Sequence, residues 1–140
     1  MATIFTRIIN GELPARFVWK DDRCVVFLSN RPLRPGHALV VPRAEVDHWT
    51  DLEPSLLGHV METAQAIGRA QMAGFKSERI GMMVAGLEVP HCHVHIVPIR
   101  GLHDLDFGNQ DPHPDDSMMD GAADTLRREL RRLGYDQASD

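Results

Sequence analysis

The pattern of apolar and polar positions along the chain predicts short strands and helices. Brief apolar runs flanked by Pro, Gly, Asn or Asp are typical of strands. Such runs occupy residues 14–19, 24–28, 37–41 and 79–85. Apolar residues three and four positions apart are typical of helices, and they occupy residues 1–10, 52–73 and 121–134. Together with one further strand described below, these segments predict an α+β fold: about five mostly antiparallel strands, a long helix and a C-terminal helix.

The long helix has both a start signal and a stop signal. Thr50 and Glu53 have the spacing of a capping box, and Pro54 fits the first turn, where no intrahelical N–H is needed. Gly74 fits the residue after the last turn. We therefore expect this helix to run from about Leu52 to Ala73.

The segment 91–98 places three histidines at alternate positions, separated by apolar residues. This alternation predicts a half-buried strand with His91, His93 and His95 on one face. Alternate Cα atoms of a strand lie about 6.7 Å apart, so two neighbouring rings can share one metal ion or one substrate atom, whereas all three cannot. Imidazole is both neutral and nucleophilic near neutral pH. The three side chains therefore indicate a functional site.

The composition is that of one globular domain. The 140 residues are 43% hydrophobic and 25% charged, which provides a core and argues against disorder. A net charge of −5 argues against binding to nucleic-acid backbones. No apolar run approaches the ~20 residues of a membrane span and no signal-peptide pattern is present, so we expect no membrane partner and a cytoplasmic location. Cys24 and Cys92 fall in predicted core strands and are expected to be reduced thiols.

The histidine pattern, with three histidines and apolar residues in between, resembles the signature of the histidine triad family, and more closely its Hint-like branch. Three further segments resemble the same family: FTRIINGELP at residues 5–14, PGHALVVP at 35–42 and SLLGH at 55–59. The resemblance covers about residues 1–100 of a single domain spanning 1–140. It implies the family's α+β fold and a homodimer.

The resemblance also implies an enzyme, a nucleotide hydrolase or nucleotidyl transferase that needs no cofactor. A phosphoramidase of this kind acts on a purine nucleotide, a nucleoside phosphoramidate or a related phosphoanhydride through a covalent nucleotidyl-histidine. By position in the motif, His93 is the expected nucleophile, His95 hydrogen-bonds the phosphoryl oxygens or the leaving group, and His91 orients the nucleophile. His37 is the expected fourth histidine, which supports the triad.

The resemblance makes Phe27, Ser29, Gly86 and Glu88 the candidate nucleotide-binding residues. Ser29 stands where the family has an acidic residue for the ribose, Leu87 replaces an amide, and Glu88 stands where a hydroxyl donates to the phosphate. An ionised carboxylate repels phosphoryl oxygens. Glu88 therefore points away, binds a cationic group, is held protonated, or simply forms a salt bridge.

The metal-binding pattern of the family is altered in this chain. Thr3 and Thr6 occupy the positions of a Cys-x-x-Cys pair found in many members, and Glu45 stands where a third ligand often lies. Because hydroxyls do not replace thiolates on zinc, we expect no structural zinc.

Three other functions remain open from the sequence. A metal-dependent hydrolase could use the His-x-His spacing with His37 or Glu88 as a third ligand. A nucleotide-binding protein with little turnover would have the same pocket. A related enzyme could act on another phosphate ester, such as a dinucleoside polyphosphate.

The segment 101–120 is rich in aspartate, proline and glycine, which predicts an acidic loop. It is either a solvated connector or a lid over the site, in which case Phe107 could dock on a base.

Overall fold

A five-stranded antiparallel sheet forms the centre of the molecule, and its strand order is β1-β2-β3-β5-β4. The computed structural model describes all 140 residues. The strands are β1 (Phe17–Lys20), β2 (Cys24–Leu28), β3 (Ala38–Pro42), β4 (Arg79–Met83) and β5 (Val94–Ile99). The predicted α+β class, with its five strands and two main helices, is confirmed.

Three helices cover the two faces of the sheet. They are α1 (Ile4–Ile9), α2 (Pro54–Gly74) and α3 (Asp116–Arg132). Helices α2 and α3 pack on one face, where residues such as Val26, Val40 and Ile96 meet Ile67 and Leu126 in the main core. None of the helices is long and apolar enough to cross a bilayer.

Helix α1 packs on the opposite face of the sheet. Its Phe5 and Ile8 form a second, smaller core with Phe27 and Leu39. His95 pairs with Leu39 in the ladder between β3 and β5, so its side chain belongs to this α1 face. The second core therefore borders the histidines.

The first helical prediction to fail is the start of α2. The helix begins at Pro54, and the Glu53 side chain makes no capping hydrogen bond. Thr50 lies in a separate 3-10 turn, Trp49–Asp51, so the predicted capping box is wrong. A residue before proline is disfavoured in the α conformation, and Glu53 is accordingly extended (ψ 138°).

The acidic segment 101–120 is more ordered than predicted. It contains two 3-10 turns, Leu102–Leu105 and Phe107–Asn109. Helix α3 begins at Asp116, five residues before the predicted start, because the Asp115 side chain accepts the Met118 N–H as an N-cap. Aspartates favour a helix N-terminus, so residues 116–120, which we predicted as part of the loop, form the first turn of the helix.

The histidine segment also departs from the prediction. Strand β5 begins at Val94, so His95 is the only histidine of the three that lies in it. The ladder with β3 runs to the pair Val40 and Val94, beyond which Pro42 has no N–H to donate. The prediction that His91 and His93 lie in the same strand as His95 is therefore wrong.

Candidate active site

Four histidines are buried beside one another on the α1 face. The exposed fractions are 0% for His91, 6% for His93, 7% for His95 and 1% for His37. The Phe5 ring packs edge-on against two of them, with centroids 4.8 Å from His93 and 5.8 Å from His91. The rings are thus held by packing as well as by hydrogen bonds.

One ring nitrogen of His93 is free to react. Its Nδ1 lies 2.7 Å from the main-chain oxygen of His91. A carbonyl oxygen only accepts hydrogen bonds, so Nδ1 carries the proton and Nε2 keeps its lone pair. Burial lowers the pKa of His93, and the neighbouring His91 ring acts in the same direction, although the hydrogen bond to the His91 carbonyl partly opposes this. The ring is therefore neutral at pH 7.

The opposite tautomer is fixed in His95. The Leu33 N–H donates to His37 Nδ1 over 3.0 Å, so the proton of His37 is on Nε2. That Nε2 lies 2.9 Å from His95 Nδ1 and donates to it. His95 must then carry its own proton on Nε2. Burial lowers the pKa of His95 to about 4 and that of His37 to about 3, so both rings are neutral at pH 7.

His91 orients the neighbouring residue through its main chain. Its ring donates from Nε2 to the Pro42 carbonyl oxygen over 2.8 Å, so Nδ1 accepts the Thr3 hydroxyl over 2.7 Å. The sequence analysis assigned the orientation of His93 to His91 and a supporting role to His37. In the structure the His91 carbonyl oxygen contacts His93, whereas His37 contacts His95.

Two adjoining cavities open at the histidines. The larger, of about 180 Å³, is lined mainly by α1, the end of β2 and the following loop, and includes Phe27 and Ser29. The smaller, of about 100 Å³, is lined by the connection 85–88 together with Phe107. Four residues line both cavities: Glu88, His93, His95 and Gln110. All four predicted nucleotide-binding residues therefore line the cavities at His93 and His95. Phe27 and Ser29 line the larger cavity, Gly86 lines the smaller one, and Glu88 lines both.

The sequence analysis missed two residues of this site, Arg31 and Gln110. Arg31 lines the larger cavity, and its carbonyl oxygen accepts the Gln110 side-chain amide over 3.0 Å. The Ser29 hydroxyl accepts the Arg31 N–H, so it is already bonded within the loop. Neither residue belongs to a periodic segment or a motif, and only the fold brings them together.

Phe107 lies beside the catalytic candidates, at the smaller cavity. Its ring is edge-on to His95 with centroids 5.0 Å apart, and it lines the smaller cavity but not the larger one. The alternative that the segment 101–120 forms a lid, with Phe107 docking on a base, stays a prediction.

The comparison with known families identifies the family of this chain. A family model described as the HIT domain matches residues 10–102. The chain belongs to the histidine triad (HIT) family. HIT proteins form a superfamily of nucleotide hydrolases and transferases, commonly hydrolases, and they bind nucleotides.

Individual HIT proteins are similar over much of the chain. An uncharacterized HIT-like protein of Methanocaldococcus jannaschii is 34% identical over 99 residues, which are 68% of this chain and 77% of that protein. The adenylylsulfatase HINT3 of Arabidopsis thaliana is 29% identical over 100 residues, which are 68% of this chain and 51% of that protein. A zinc-bound histidine triad family protein from Mycobacterium smegmatis superposes with a TM-score of 0.82 at 27% identity, covering 95% and 96% of the two chains.

In this HIT protein, the residues compared above with zinc ligands hydrogen-bond to one another. Glu45 Oε1 accepts hydrogen bonds from the Thr3 N–H and the Thr6 hydroxyl, each over 2.7 Å. The Thr3 hydroxyl in turn donates to His91 Nδ1. These hydrogen bonds lower the pKa of Glu45. Two hydroxyls, a carboxylate and an imidazole are a poor donor set for structural zinc. The absence of zinc remains a prediction.

A second group of possible metal ligands lies at the β1–β2 hairpin. The ligand atoms of Asp21, Cys24 and His59 lie within 4.8 Å of one another. Burial raises the pKa of the Cys24 thiol to about 12, so it is protonated at pH 7. The Asp21 carboxylate already accepts the Arg23 and Cys24 N–H groups, which close the hairpin turn. His59 Nε2 also contacts the Asp21 carboxylate over 2.8 Å.

Glu88 has no ion-pair partner at the edge of the HIT site. No Lys, Arg or His nitrogen lies within 4.0 Å of its carboxylate, so the salt bridge considered above is not formed. The residue is exposed and lines both cavities. Gly86, two residues earlier, has a φ of 74°, which lets the connection turn towards the histidines.

Proposed function

We propose that this protein is a nucleotide phosphoramidase, a hydrolase or nucleotidyl transferase that acts on a nucleoside phosphoramidate or a related nucleotide phosphoanhydride. The observation that supports this most directly is the free Nε2 of His93, which is buried, neutral and next to a cavity. A neutral imidazole nitrogen with a fixed lone pair is the form that attacks phosphorus. No cofactor is needed for this chemistry.

His93 acts as the nucleophile in two successive displacements. Its Nε2 forms a bond to the α-phosphorus while the P–N bond breaks, and the electron pair leaves with the amine nitrogen, which takes one proton from water. The nucleotidyl-imidazolium is stabilised because its Nδ1–H still donates to the His91 carbonyl oxygen. A water molecule then attacks the phosphorus as the P–Nε2 bond breaks, and its proton neutralises the hydroxide left by the first step. This releases the nucleoside monophosphate and restores the lone pair of His93.

His95 acts as a hydrogen-bond donor in this scheme. Its Nε2–H is available because His37 occupies Nδ1. A pKa of about 4 means that the ring carries no second proton at pH 7, and loss of its only proton would leave an imidazolate. His95 therefore donates to a phosphoryl oxygen or to the leaving atom without giving up its proton. Main-chain N–H groups of residues 86–89 take the developing negative charge.

The larger cavity takes the purine nucleoside. Phe27 and Leu39 give it apolar walls, and Phe27 is held by Phe5 and Phe17 with centroids 5.6 and 5.9 Å away. Apolar walls combined with polar groups that fix orientation are typical of small-molecule sites. Ser29 lines the same cavity and is the polar residue proposed to contact the ribose.

A panel of substrates tests this function. We expect turnover of purine nucleoside phosphoramidates and no loss of activity in a chelator, because His93 and not a metal-bound water attacks phosphorus. A nucleotidyl sulfate and a dinucleoside polyphosphate belong in the panel, since one relative is an adenylylsulfatase. Loss of activity in the chelator would favour the metal-dependent alternative, and binding of a nucleoside monophosphate without any turnover would favour a binding protein.

The His93→Ala variant should lower turnover by about a thousandfold or more, since it removes the attacking atom. The matched control is His48→Ala, because the His48 side chain is 73% exposed and lies outside both cavities. Activity of His93→Ala within a few-fold of the control would rule out the nucleophile.

The HIT domain forms a homodimer in this proposal. Strand β4 forms one of the two edges of the sheet and pairs only with β5. Beside it, Met61, Met72 and Met82 are 40–49% exposed around a groove of about 790 Å³ between α2 and β4. An unpaired strand edge flanked by apolar side chains is suited to a second copy of the same chain.

The reaction takes place in the cytoplasm. Cys24 and Cys92 are buried free thiols, which is consistent with a reducing compartment.

A further inference from the structure

The smaller cavity contains a single side chain that is charged at pH 7. Eight residues line it, and His93 and His95 are neutral there, so the Glu88 carboxylate is the only charge. We propose that Glu88 selects the charge of the leaving group, so that the site favours an amine with a second, cationic nitrogen and disfavours an anionic leaving group. This inference rests on the proposed phosphoramidase function and concerns its substrate class.

The position of Glu88 places its charge where the leaving group must pass. The residue lines both cavities, as do the nucleophile His93 and the hydrogen-bond donor His95. If the nucleoside fills the larger cavity, the phosphoryl group lies at the junction and the leaving group occupies the smaller cavity. A charge on the leaving group then lies within a few ångströms of the carboxylate.

No basic side chain neutralises this carboxylate. Arg31 lines the larger cavity but not the smaller one, and it forms no ion pair with Glu88. Arg31 therefore lies at the cavity proposed for the nucleoside, and the electrostatic potential in the smaller cavity is negative because of Glu88. An unpaired carboxylate in such a position attracts an ammonium group and repels a sulfate, phosphate or carboxylate.

Two parts of the substrate respond differently to this charge. The α-phosphoryl group is anionic in every nucleotide substrate, so its repulsion by Glu88 lowers kcat/KM for all of them alike. The leaving group differs between substrates, and only its charge changes their ranking. In each case the P–N bond breaks, the electron pair stays on nitrogen, and that nitrogen takes one proton from water.

The cavity walls also restrict the leaving group. Phe107 stands edge-on to His95, and the Gln110 side chain is held by the Arg31 carbonyl oxygen, which leaves a cavity of about 100 Å³. This space suits a short alkylamine. The substrate class is therefore a nucleoside phosphoramidate of a small diamine or another amine with a nearby ammonium group.

Three phosphoramidates of one purine nucleotide, matched in chain length, test the inference. Their leaving amines end in an ammonium, a methyl or a carboxylate group. For the wild-type protein we expect kcat/KM to fall about tenfold at each step along this series at low salt, because unit charges at short range in partly screened surroundings have effects of this size. The preference should shrink at high ionic strength, since Glu88 is exposed.

Glu88→Gln keeps the shape of the side chain and removes its charge. We expect it to reduce each step of the series to about threefold or less and to raise kcat/KM for the carboxylate-bearing substrate most. The effect is taken as the ratio of variant to wild type for each substrate, so the intrinsic reactivity of each amine cancels. The control is Glu53→Gln, because that carboxylate is exposed, makes no capping bond and lies outside both cavities.

The outcomes separate this inference from the function on which it rests. If wild type and Glu88→Gln turn over all three substrates in the same ratios, the inference is overturned and the phosphoramidase function stands. If wild type turns over none of them, the proposed function fails and the inference fails with it. Flattened ratios in Glu88→Gln, with wild-type ratios in Glu53→Gln, support it.

Discussion

At the scale of single residues, the hydrogen bonds of the site fix which ring nitrogen holds each proton. The His91 carbonyl oxygen accepts a hydrogen bond from the Nδ1–H of His93, and a main-chain N–H, acting through His37, keeps the His95 proton on Nε2. The two neighbouring rings therefore offer opposite groups to one substrate, a lone pair from His93 and a donor from His95. Burial keeps both rings neutral, so this pairing persists over a wide range of pH.

The pH dependence of kcat/KM tests this residue-scale account. An ordinary histidine becomes protonated near pH 6.5. Burial lowers the pKa of His93 below that value, so the neutral, reactive form persists as the pH falls through 6.5. We expect the rate to stay near its plateau at pH 6.5 and to decline only at lower pH. An acid limb with an apparent pKa of 6.5 or above, for a substrate that does not itself titrate there, would contradict the account.

At the scale of elements, the short helix α1 connects the N-terminus to the histidines. It has six residues, too few for a stable isolated helix. Tertiary contacts hold it instead: Phe5 packs on the rings of His91 and His93, and Thr3 joins Glu45 to His91. The position of His91 in turn sets the carbonyl oxygen that orients His93.

Thr3→Val tests the contribution of these contacts. The substitution removes the N-cap acceptor for the Thr6 N–H and the hydroxyl bonded to His91. We expect the free energy of unfolding, measured with urea, to fall by about 1–2 kcal/mol.

Thr50→Val is the matched control for this substitution. Thr50 is exposed in a 3-10 turn and has no side-chain hydrogen bond to lose, so its free energy of unfolding should change little. Equal losses in the two variants would show that the hydroxyl of Thr3 does not fasten α1.

The same scale shows what the sequence predicts well. Continuous apolar runs such as Cys24–Leu28 are found as buried strands, because a strand buried on both faces needs apolar residues throughout. Element ends were less predictable. The start of β5 depends on Pro42, which lies about fifty residues earlier and has no N–H to pair, and that pairing exists only in the folded sheet.

In the candidate site, the sequence predicted the histidines but not the residues that hydrogen-bond to them. The motif and the resemblance identified His37, His91, His93 and His95, and the structure places all four together. Their partners were not predictable: the hydrogen bond from Thr3 to His91 joins residues 88 positions apart. Such pairs follow from the docking of α1 on the sheet, and no local pattern encodes them.

At the scale of the whole molecule, the two faces and two edges of the sheet are used differently. One face is covered by α2 and α3, and the other carries α1 and the histidines. The β1 edge is bridged at Trp19 by the C-terminal Ala138, whereas the β4 edge is left open beside exposed methionines. An open edge is the part of a sheet that needs a partner or a protective device.

Met82→Asp tests the proposed homodimer. Met82 lies in β4, is 44% exposed and lines the groove towards α2. A carboxylate there would be buried against apolar side chains in the dimer, so we expect the variant to be monomeric by light scattering where the wild type has twice the mass of one chain.

Leu102→Asp is the control for the dimer, since Leu102 is 84% exposed and does not line the groove between α2 and β4. It should keep the mass of the wild type. A monomeric wild-type protein, or a Met82→Asp variant that stays dimeric, would contradict the proposed interface.

The central claim, that Nε2 of His93 attacks phosphorus, is tested most directly by trapping the intermediate. A purine nucleoside phosphoramidate is mixed with the wild-type protein, the reaction is quenched during turnover, and peptides are analysed by mass spectrometry. We expect the mass of one nucleotidyl group on the peptide that contains His93, localised to that residue and missing from His93→Ala. Steady turnover with no adduct at any quench time, or an adduct on another residue, would contradict it.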